Sequence, residues 1–358
     1  MATTFAVPDG RVAMAATLYT GTGAGSPQSI SNAVNAVSFQ PGLVWVKARN
    51  ANGNNAVTDS VRGAYLQLIT QLTNAEANYS PYGVTAFNAN GFGVNDDNSG
   101  NYSVNGAAGG LYSGTPPNYV AWQWKAGGTA VSNTAGTITS SVSANTTAGF
   151  SVVTYTGTGA NATVGHGLGV APSLILVKSR GTVFSWVVYH ASIGNTKYLL
   201  LNTTTTETVD STVWNNTSPT ANVFTVGTVF GSNTNVAYCW APVAGYSAFG
   251  SYTGNGSADG PFIYTGFRPR FLMIKRTDTA GNNWVILDTS RDTYNAAGLY
   301  LYPNLSAAED DYRASTGPID ILSNGLKQRS TLSNVNASGG TYIYACFAEN
   351  PLRYSNAR

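Results

Sequence analysis

The sequence predicts an all-β protein built from three tandem antiparallel β-sandwich repeats. Short apolar stretches separated by Gly, Asn and Pro recur along the whole chain, and helical signals are weak. Only 9% of the residues are charged, whereas Gly reaches 40 residues and Tyr 21, a composition that suits sheets with polar, uncharged surfaces. The third observation is an internal repeat of roughly a hundred residues, the size of a small domain.

Each copy of the repeat opens and closes in the same way. The opening Tyr-Thr-Gly begins at Tyr19, Tyr155 and Tyr252. A proline then precedes a lysine by six residues, as Pro41/Lys47, Pro172/Lys178 and Pro269/Lys275. An acidic residue follows a leucine-containing stretch at Glu76, Glu207 and Glu309. Each copy ends on an aromatic strand at 119–124, 236–240 or 342–347.

These landmarks predict five segments. An N-terminal lead covers 1–15 and is expected to extend the first sheet or dock on a neighbouring subunit. The repeats occupy 16–126, 150–243 and 244–358. Residues 127–149 are almost wholly Gly, Ser, Thr, Ala and Asn, which is typical of a linker, with a polar β-arm at a subunit contact as the alternative.

The composition also narrows the class of protein. A hydrophobic fraction of 43% is enough for packed cores, so we expect no large disordered region. The net charge is +2 without a Lys/Arg cluster, which argues against nucleic acid as a partner. The first nine residues lack the features of a signal peptide and no stretch has the apolar length of a membrane helix, so we expect a soluble product of a cytoplasm without membrane insertion.

Local patterns predict several individual elements. Residues 43–47 are predicted to form a core strand. The Asn-Gly pairs at 90–91 and 324–325 predict hairpins at matching places in copies one and three. Residues 73–77 and 305–309 are each predicted to form one helical turn, with Ser306 and Glu309 spaced as a capping box. Cys239 and Cys346 lie in apolar strands and are expected to be buried thiols rather than a disulfide.

The most interesting motif is Asp-x-x-Arg, because it recurs. It occurs as Asp59/Arg62 and Asp288/Arg291, and copy two has His190 and Ile193 instead. One interpretation is a sugar-binding pair. The favoured one is a local ion pair that clamps the loop after the second strand, and the repeated lysines are expected to share such an architectural role.

No pattern specifies catalysis or metal binding. His166 and His190 lack partners at zinc spacing, residues 95–100 lack the EF-hand spacing for calcium, and Glu309, Asp310 and Asp311 cluster beside a predicted turn in copy three only. We therefore expect no catalytic residue, metal or cofactor, and the binding residues stay unassigned.

Most tryptophans are predicted to be core residues: Trp45, Trp122, Trp124, Trp186, Trp240 and Trp284. Loop tyrosines are candidates to contact glycan or another subunit: Tyr79, Tyr82, Tyr102 and Tyr112.

Nearly the whole chain resembles a family of uncharacterised repeat domains in tailed-phage structural proteins, especially of phages of aquatic bacteria. The resemblance is carried by the motifs at 43–47, 59–63, 119–128 and 250–256. It implies a jelly-roll or concanavalin-like sandwich on the exterior of a virion, as a tail fibre, knob or head-decoration protein. It supplies no catalytic residues.

With this resemblance, the sequence predicts a non-enzymatic bacteriophage virion protein that attaches to a host surface or stabilises the particle. The expected partners are copies of itself, with a trimer by analogy with fibres, other virion proteins and a host surface glycan. The alternative from a different class is a soluble, lectin-like carbohydrate-binding module.

Overall fold

A computed structural model describes residues 5–97, 103–106, 116–315 and 317–351. The all-β prediction is confirmed, with 43% strand and 4% helix. The described helices are short, two 3-10 turns at Gly10–Val12 and Thr228–Phe230 and two α-helices, α1 (Ser211–Trp214) and α2 (Ser333–Asn336).

The strands fall into three groups along the chain. The first group contains β1 (Met14–Thr20), β2 (Gln28–Ser31), β3 (Leu43–Ala48), β4 (Ala56–Asp59), β5 (Leu66–Ile69), β6 (Ala77–Asn78), β7 (Gly83–Asn88), β8 (Gly91–Asn95) and β9 (Asn118–Trp124).

The second group contains β10 (Val131–Asn133), β11 (Ser140–Asn145), β12 (Phe150–Thr156), β13 (Ala162–Gly165), β14 (Leu174–Ser179), β15 (Val187–His190), β16 (Lys197–Leu200), β17 (Thr208–Val209), β18 (Val223–Val226) and β19 (Thr234–Trp240).

The third group contains β20 (Ser247–Thr253), β21 (Phe262–Tyr264), β22 (Phe267–Arg276), β23 (Val285–Asp288), β24 (Leu299–Tyr300), β25 (Asp310–Asp311), β26 (Ile319–Leu322), β27 (Gly325–Gln328) and β28 (Thr341–Pro351).

Each group contributes one large antiparallel sheet with a common strand order. The first sheet runs β1-β9-β3-β4-β5-β6, and the second runs β12-β19-β14-β15-β16-β17 after two extra edge strands, β10 and β11. The third runs β20-β28-β22-β23, and an isolated bridge between Ile286 and Leu301 continues it towards β24 and β25. The register agrees as well, because Tyr19, Tyr155 and Tyr252 of the Tyr-Thr-Gly motifs all pair with the first half of the closing strand.

A smaller sheet accompanies each large one. These small sheets are β2-β8-β7, β13-β18 and β21-β27-β26. The Asn-Gly hairpins predicted at 90–91 and 324–325 are confirmed, since they join β7 to β8 and β26 to β27. Gly91 has a φ of 148°, a backbone conformation that side chains other than glycine's rarely adopt.

The central strands of the large sheets are buried on both faces. In β3, Leu43 and Trp45 point into a core shared by all three sheets, whereas Val44 and Val46 point into a separate core of the first group. The second group repeats this alternation, and in the third group the two cores are continuous. Burial on both faces explains why these strands read as unbroken apolar runs rather than as alternating ones.

Aromatic rings from all three sheets meet at the centre of the shared core. Trp124 lies 5.7 Å from Trp240 and 5.6 Å from Phe347 between ring centroids, in edge-to-face arrangements that suit the charge distribution of the rings. These three residues hold the same place in β9, β19 and β28. The three sheets therefore pack around one aromatic centre.

Some local predictions are wrong. The stretch predicted as a linker, 127–149, contains strands β10 and β11, of which β10 pairs with β11 and β11 pairs with β12. The alternative of a polar β-arm agrees with these strands, which extend the second sheet of the same chain. The helical turns predicted at 73–77 and 305–309 are not helical. Backbone groups in these segments bond to neighbouring sheets instead, for example Glu76 N to Arg180 O at 2.9 Å. Tertiary hydrogen bonds outweigh a weak local preference.

The N-terminal lead packs on the molecule itself. Val7 is buried in the shared core, and Gly10 lies against the carbonyl of Ala348 in β28, where a Cβ atom would stand only 2.1 Å from that oxygen. The first strand already begins at Met14, inside the segment predicted as the lead.

Candidate functional site

The Asp-x-x-Arg motifs form buried corners after β4 and β23. In the third sheet, Asp288 Oδ1 accepts a hydrogen bond from the backbone of Arg291 at 3.0 Å, and Asp288 Oδ2 accepts from Arg291 Nε at 2.6 Å. Asp59 and Arg62 make the same two contacts. All four side chains are 0% exposed, so a sugar cannot reach them.

The arginines also tie their own sheets together. Arg291 donates to the carbonyls of Ile286 and Leu299, and thereby links β23 to β24. Burial alone would raise the pKa of Asp288, but the charge and hydrogen bonds of Arg291 outweigh it, so the pKa lies below its ordinary value. The interpretation as a structural clamp agrees with this geometry.

Each corner also contacts the neighbouring sheet. Tyr238 of the second sheet donates its hydroxyl to Asp59 at 2.8 Å, and Trp122 of the first sheet donates Nε1 to Asp288 at 2.9 Å. In the second sheet, His190 occupies the corner, and its Nε2 lies 3.1 Å from the carbonyl of Tyr344 in the third. The corners thus connect first to second, second to third and third to first.

The repeated acidic residues provide a second cycle of contacts. Their backbone N–H groups donate to the next sheet, from Glu76 to Arg180 at 2.9 Å, from Glu207 to Thr277 at 3.0 Å and from Glu309 to Arg49 at 2.6 Å. The sequence shows that these acids recur, but it does not show their partners, because each partner lies in another repeat.

Two of these acids also bridge a pair of arginines. Glu309 binds Arg291 of its own sheet at 2.8 Å and Arg49 of the first sheet at 2.9 Å. Glu76 binds Arg62 and Arg180 in the same manner. These networks join neighbouring sheets by charge-assisted hydrogen bonds.

The second sheet lacks the arginine and pairs its acid differently. Ile193 stands in the arginine's place and packs against the shared core. Glu207 binds Lys197, and both side chains are partly exposed, at 24% and 36%. His190 is buried, and desolvation lowers its pKa to about 4, so its imidazole is neutral near pH 7.

The repeated lysines are buried at equivalent places in the three large sheets. Their ammonium groups donate to backbone carbonyls, such as Lys47 to Gly53 and Ser306, both at 2.8 Å. Lys178 likewise donates to the carbonyl of Thr73 in the first sheet. Desolvation lowers the pKa of Lys47 to about 7 and those of Lys178 and Lys275 to about 8. Their contacts agree with an architectural role.

The three clustered carboxylates of copy three, Glu309, Asp310 and Asp311, are engaged by neighbouring groups. Glu309 binds two arginines, Asp310 accepts from the hydroxyl of Tyr302 at 2.6 Å, and Asp311 binds Arg313 at 2.6 Å. The three groups point to three different partners rather than facing each other across a cleft.

The metal candidates are not brought together. His166 bonds through Nε2 to the carbonyl of Thr220 and through Nδ1 to the backbone of Leu168. Residues 98–100 of the candidate calcium loop lie outside the described residues. Across the part of the chain that the structure describes, no group of three or more His, Cys, Asp or Glu side chains is arranged to hold a metal ion. Cys239 and Cys346 are buried free thiols, as predicted.

The aromatic residues divide sharply by exposure. The six tryptophans predicted to be core residues are all buried. Tyr79 and Tyr82 are only half-buried, and the other two candidate tyrosines, at 102 and 112, lie outside the described residues. Among the described residues, the exposed aromatic side chains are Phe262, Tyr264 and Tyr294. The sequence analysis singled out none of these three. The run Phe-Ile-Tyr at 262–264 places two aromatic residues on one face of a strand, and this pattern could have identified Phe262 and Tyr264.

A cleft of about 680 Å³ lies where the first group of strands meets residues 125–129 and the end of β11. Its polar lining includes Gln40, Ser60, Lys125 and Asn145, with Phe87 as the aromatic member. No carboxylate, imidazole or thiol belongs to this lining of described residues. The cleft offers hydrogen bonds to a ligand, but no carboxylate or imidazole acid or base.

The described residues include no helix that is both long and apolar enough to cross a membrane.

Comparisons with known proteins place the chain in a family. A search of curated proteins gave no match. A family model described as a domain of unknown function matches residues 12–351, which include all three large sheets. The chain therefore belongs to the DUF7483 family.

Proposed function

We propose that the chain is a non-enzymatic structural protein of a bacteriophage virion, exposed as a tail fibre, knob or head decoration. In this proposal its three groups of strands are three β-sandwich repeats, and the protein attaches the particle to a host surface or stabilises it. One observation carries most weight: a single chain closes three sheets of one strand order around a shared core.

The closed arrangement supports an exposed structural role because it resists local opening. Each sheet is held to both neighbours by buried aromatics, by backbone hydrogen bonds and, at two junctions, by arginine–glutamate bridges. Opening one junction would expose buried charge and apolar surface together. Such coupling favours slow unfolding, which a particle outside the cell requires.

The proposed partners are other virion proteins and further copies of this chain, after synthesis in the host bacterial cytoplasm. Because one chain already supplies three sheets, association into a trimer would use outer surfaces rather than complete the core. Light scattering on the purified protein distinguishes the cases, since one chain has a mass of 37.3 kDa.

The decisive experiment is to look for the chain in particles. Virions from the source phage would be purified on a density gradient and analysed by mass spectrometry, with antibody labelling of intact particles by electron microscopy. We expect stoichiometric amounts of the chain and label on the tail or head exterior. Its absence from purified particles would overturn the proposal.

The lectin-like alternative is favoured by one observation, the exposed aromatic pair Phe262 and Tyr264. Under this alternative the protein binds carbohydrate without a particle. Glycan binding by the isolated protein, together with its absence from virions, would support it.

A further inference from the structure

Strand β21 exposes two aromatic rings on the same side of the third small sheet. Phe262 and Tyr264 are 48% and 62% exposed, whereas Ile263 between them is 5% exposed and points into the core. Alternate residues of a strand face the same side and are roughly 7 Å apart along it. The two exposed rings therefore lie on the same face of β21, and we call this pair the strip.

The other two groups of strands do not have this strip. Ile30 of β2, Val164 of β13 and Ile263 of β21 are equivalent, because each is buried and pairs with an apolar residue of the next strand. The residues flanking them are Ser29 and Ser31 in β2, and Thr163 and Gly165 in β13. The fold thus accepts small residues at these positions, and the aromatic pair needs another explanation.

Edge protection does not explain the pair. Soluble proteins usually blunt an edge strand with charges, proline or a covering segment. The second group covers β13 with its own chain, through the parallel bridge between Ile138 and Val164. Strand β21 is an edge strand of its sheet and carries exposed aromatic side chains instead.

Polar side chains border the strip on the same face. Lys327 and Asp320 lie in register beside Phe262, and Lys327 binds Asp259 at 2.6 Å. Arg329 binds Asp320 at 2.7 Å. The border therefore holds two carboxylates and two cations with no net charge, and the side chain of Asp259 is 80% exposed. These groups accept and donate hydrogen bonds without favouring a charged ligand.

The size of the strip indicates the class of ligand. Two partly exposed aromatic side chains present on the order of 200 Å² of surface. A stable protein interface buries about 800 Å² on each partner, so the strip is too small to be the core of one. It is large enough for one or two sugar rings, whose C–H faces are attracted to the negative faces of aromatic rings.

We infer that Phe262 and Tyr264 form the binding platform for a neutral saccharide, with Asp259, Lys327 and Asp320 contacting its hydroxyls. The inference deepens the proposed function, on which it rests, because it assigns host attachment to one face of the third group. The sugar stacks on the rings, and the paired charges at the border supply hydrogen bonds.

The test uses the purified full chain in affinity gel electrophoresis with dextran, mannan and galactan as neutral probes and alginate as a charged probe. The variants are Phe262→Ala/Tyr264→Ala and, as the matched control, Ser29→Ala/Ser31→Ala at the equivalent positions of β2. All four positions are exposed, and the two serines lose only exposed hydrogen bonds to Asn88 and Ala33, so we expect both variants to fold with only small changes in melting temperature.

We expect at least one neutral polysaccharide to retard the wild-type chain, the aromatic double variant to bind at least about tenfold more weakly, and the serine variant to bind as wild type. The inference is overturned by retardation in alginate only, by no retardation in any probe, or by equal binding of the aromatic variant. These outcomes are independent of whether virions contain the chain, so failure of the platform is distinguishable from failure of the proposed function.

Discussion

The corners of the three large sheets each form a hydrogen bond to the neighbouring sheet, but the corner of the second sheet uses different residues from those of the first and third. In the third sheet a buried carboxylate, Asp288, accepts from Trp122 of its neighbour and is neutralised by Arg291. In the second sheet a neutral imidazole, His190, contacts the carbonyl of Tyr344, and Ile193 replaces the arginine.

The comparison separates what the fold requires from what it merely allows. All three corners keep one hydrogen bond to the neighbouring sheet, so that bond is the common requirement. The buried ion pair occurs twice and is absent once, so the fold does not need it. Once aspartate occupies the corner, however, the arginine becomes necessary, because an isolated buried charge is strongly unfavourable.

The largest effect is expected for Asp288→Ala. This change leaves the buried guanidinium of Arg291 with one carboxylate, Glu309, instead of two, and removes the acceptor of Trp122, so we expect the free energy of unfolding to fall by about 3–5 kcal/mol. Denaturant unfolding monitored by fluorescence measures it. The double variant Asp288→Asn/Arg291→Ile should lose less, because the amide oxygen still accepts from Trp122 and no charge is left buried at the corner. A cost below about 1 kcal/mol for Asp288→Ala would contradict the clamp.

The second corner should respond to acid through its histidine. The pKa of His190 is about 4 in the folded protein and 6.5 ordinarily. Between these values the unfolded chain binds a proton that the folded chain does not, so stability decreases as the pH falls from 6.5 to 4. The free energy of unfolding should therefore fall by about 3 kcal/mol over this pH range.

The measurement is the pH dependence of unfolding in wild type and in His190→Asn. Subtracting the two curves removes the contribution of the carboxylates, which both proteins share. The difference should change between pH 6.5 and 4 and stay flat above pH 7.5. Parallel curves over the whole range would show that His190 does not titrate as described.

Neutralising the acid of the third sheet should reduce the free energy of unfolding more than neutralising the acid of the second sheet, although both effects are smaller than that of Asp288→Ala. Glu309→Gln removes a charge that faces Arg49 and the buried Arg291, and we expect a loss of about 1–3 kcal/mol in unfolding free energy. Glu207→Gln weakens a partly exposed pair with Lys197 and should cost below about 1 kcal/mol. Equal losses in thermal unfolding would argue against the difference between the two networks.

Among the changes at the corners themselves, the smallest effect is expected for Tyr238→Phe. The change removes one hydroxyl from the first corner, while Asp59 and Arg62 keep each other, so the loss should be about 1 kcal/mol. Combining it with Asp59→Ala should be less than additive, because both changes remove the same contact. Full additivity in a double-mutant cycle would mean that this hydrogen bond contributes nothing.

The sequence alone determined much of this protein. Short apolar runs between turn residues specify strands, so the all-β class followed directly. The repeated Asp-x-x-Arg motif was correctly interpreted as a local clamp, since residues three apart in a turn can bond to each other. Cys239 and Cys346 were correctly expected to be buried thiols because they lie within apolar strands.

Only the tertiary structure decided how the three groups of strands meet. An unbroken apolar run such as 43–46 indicates that both faces are buried, but it does not say that one face belongs to a core shared with residues more than a hundred positions away. The partners of Glu76 and Glu309 are equally distant, and the exposure of Phe262 and Tyr264 depends on what the remaining chain leaves uncovered. Local patterns record the burial of a residue, whereas its neighbours across the core are set by packing of the whole chain.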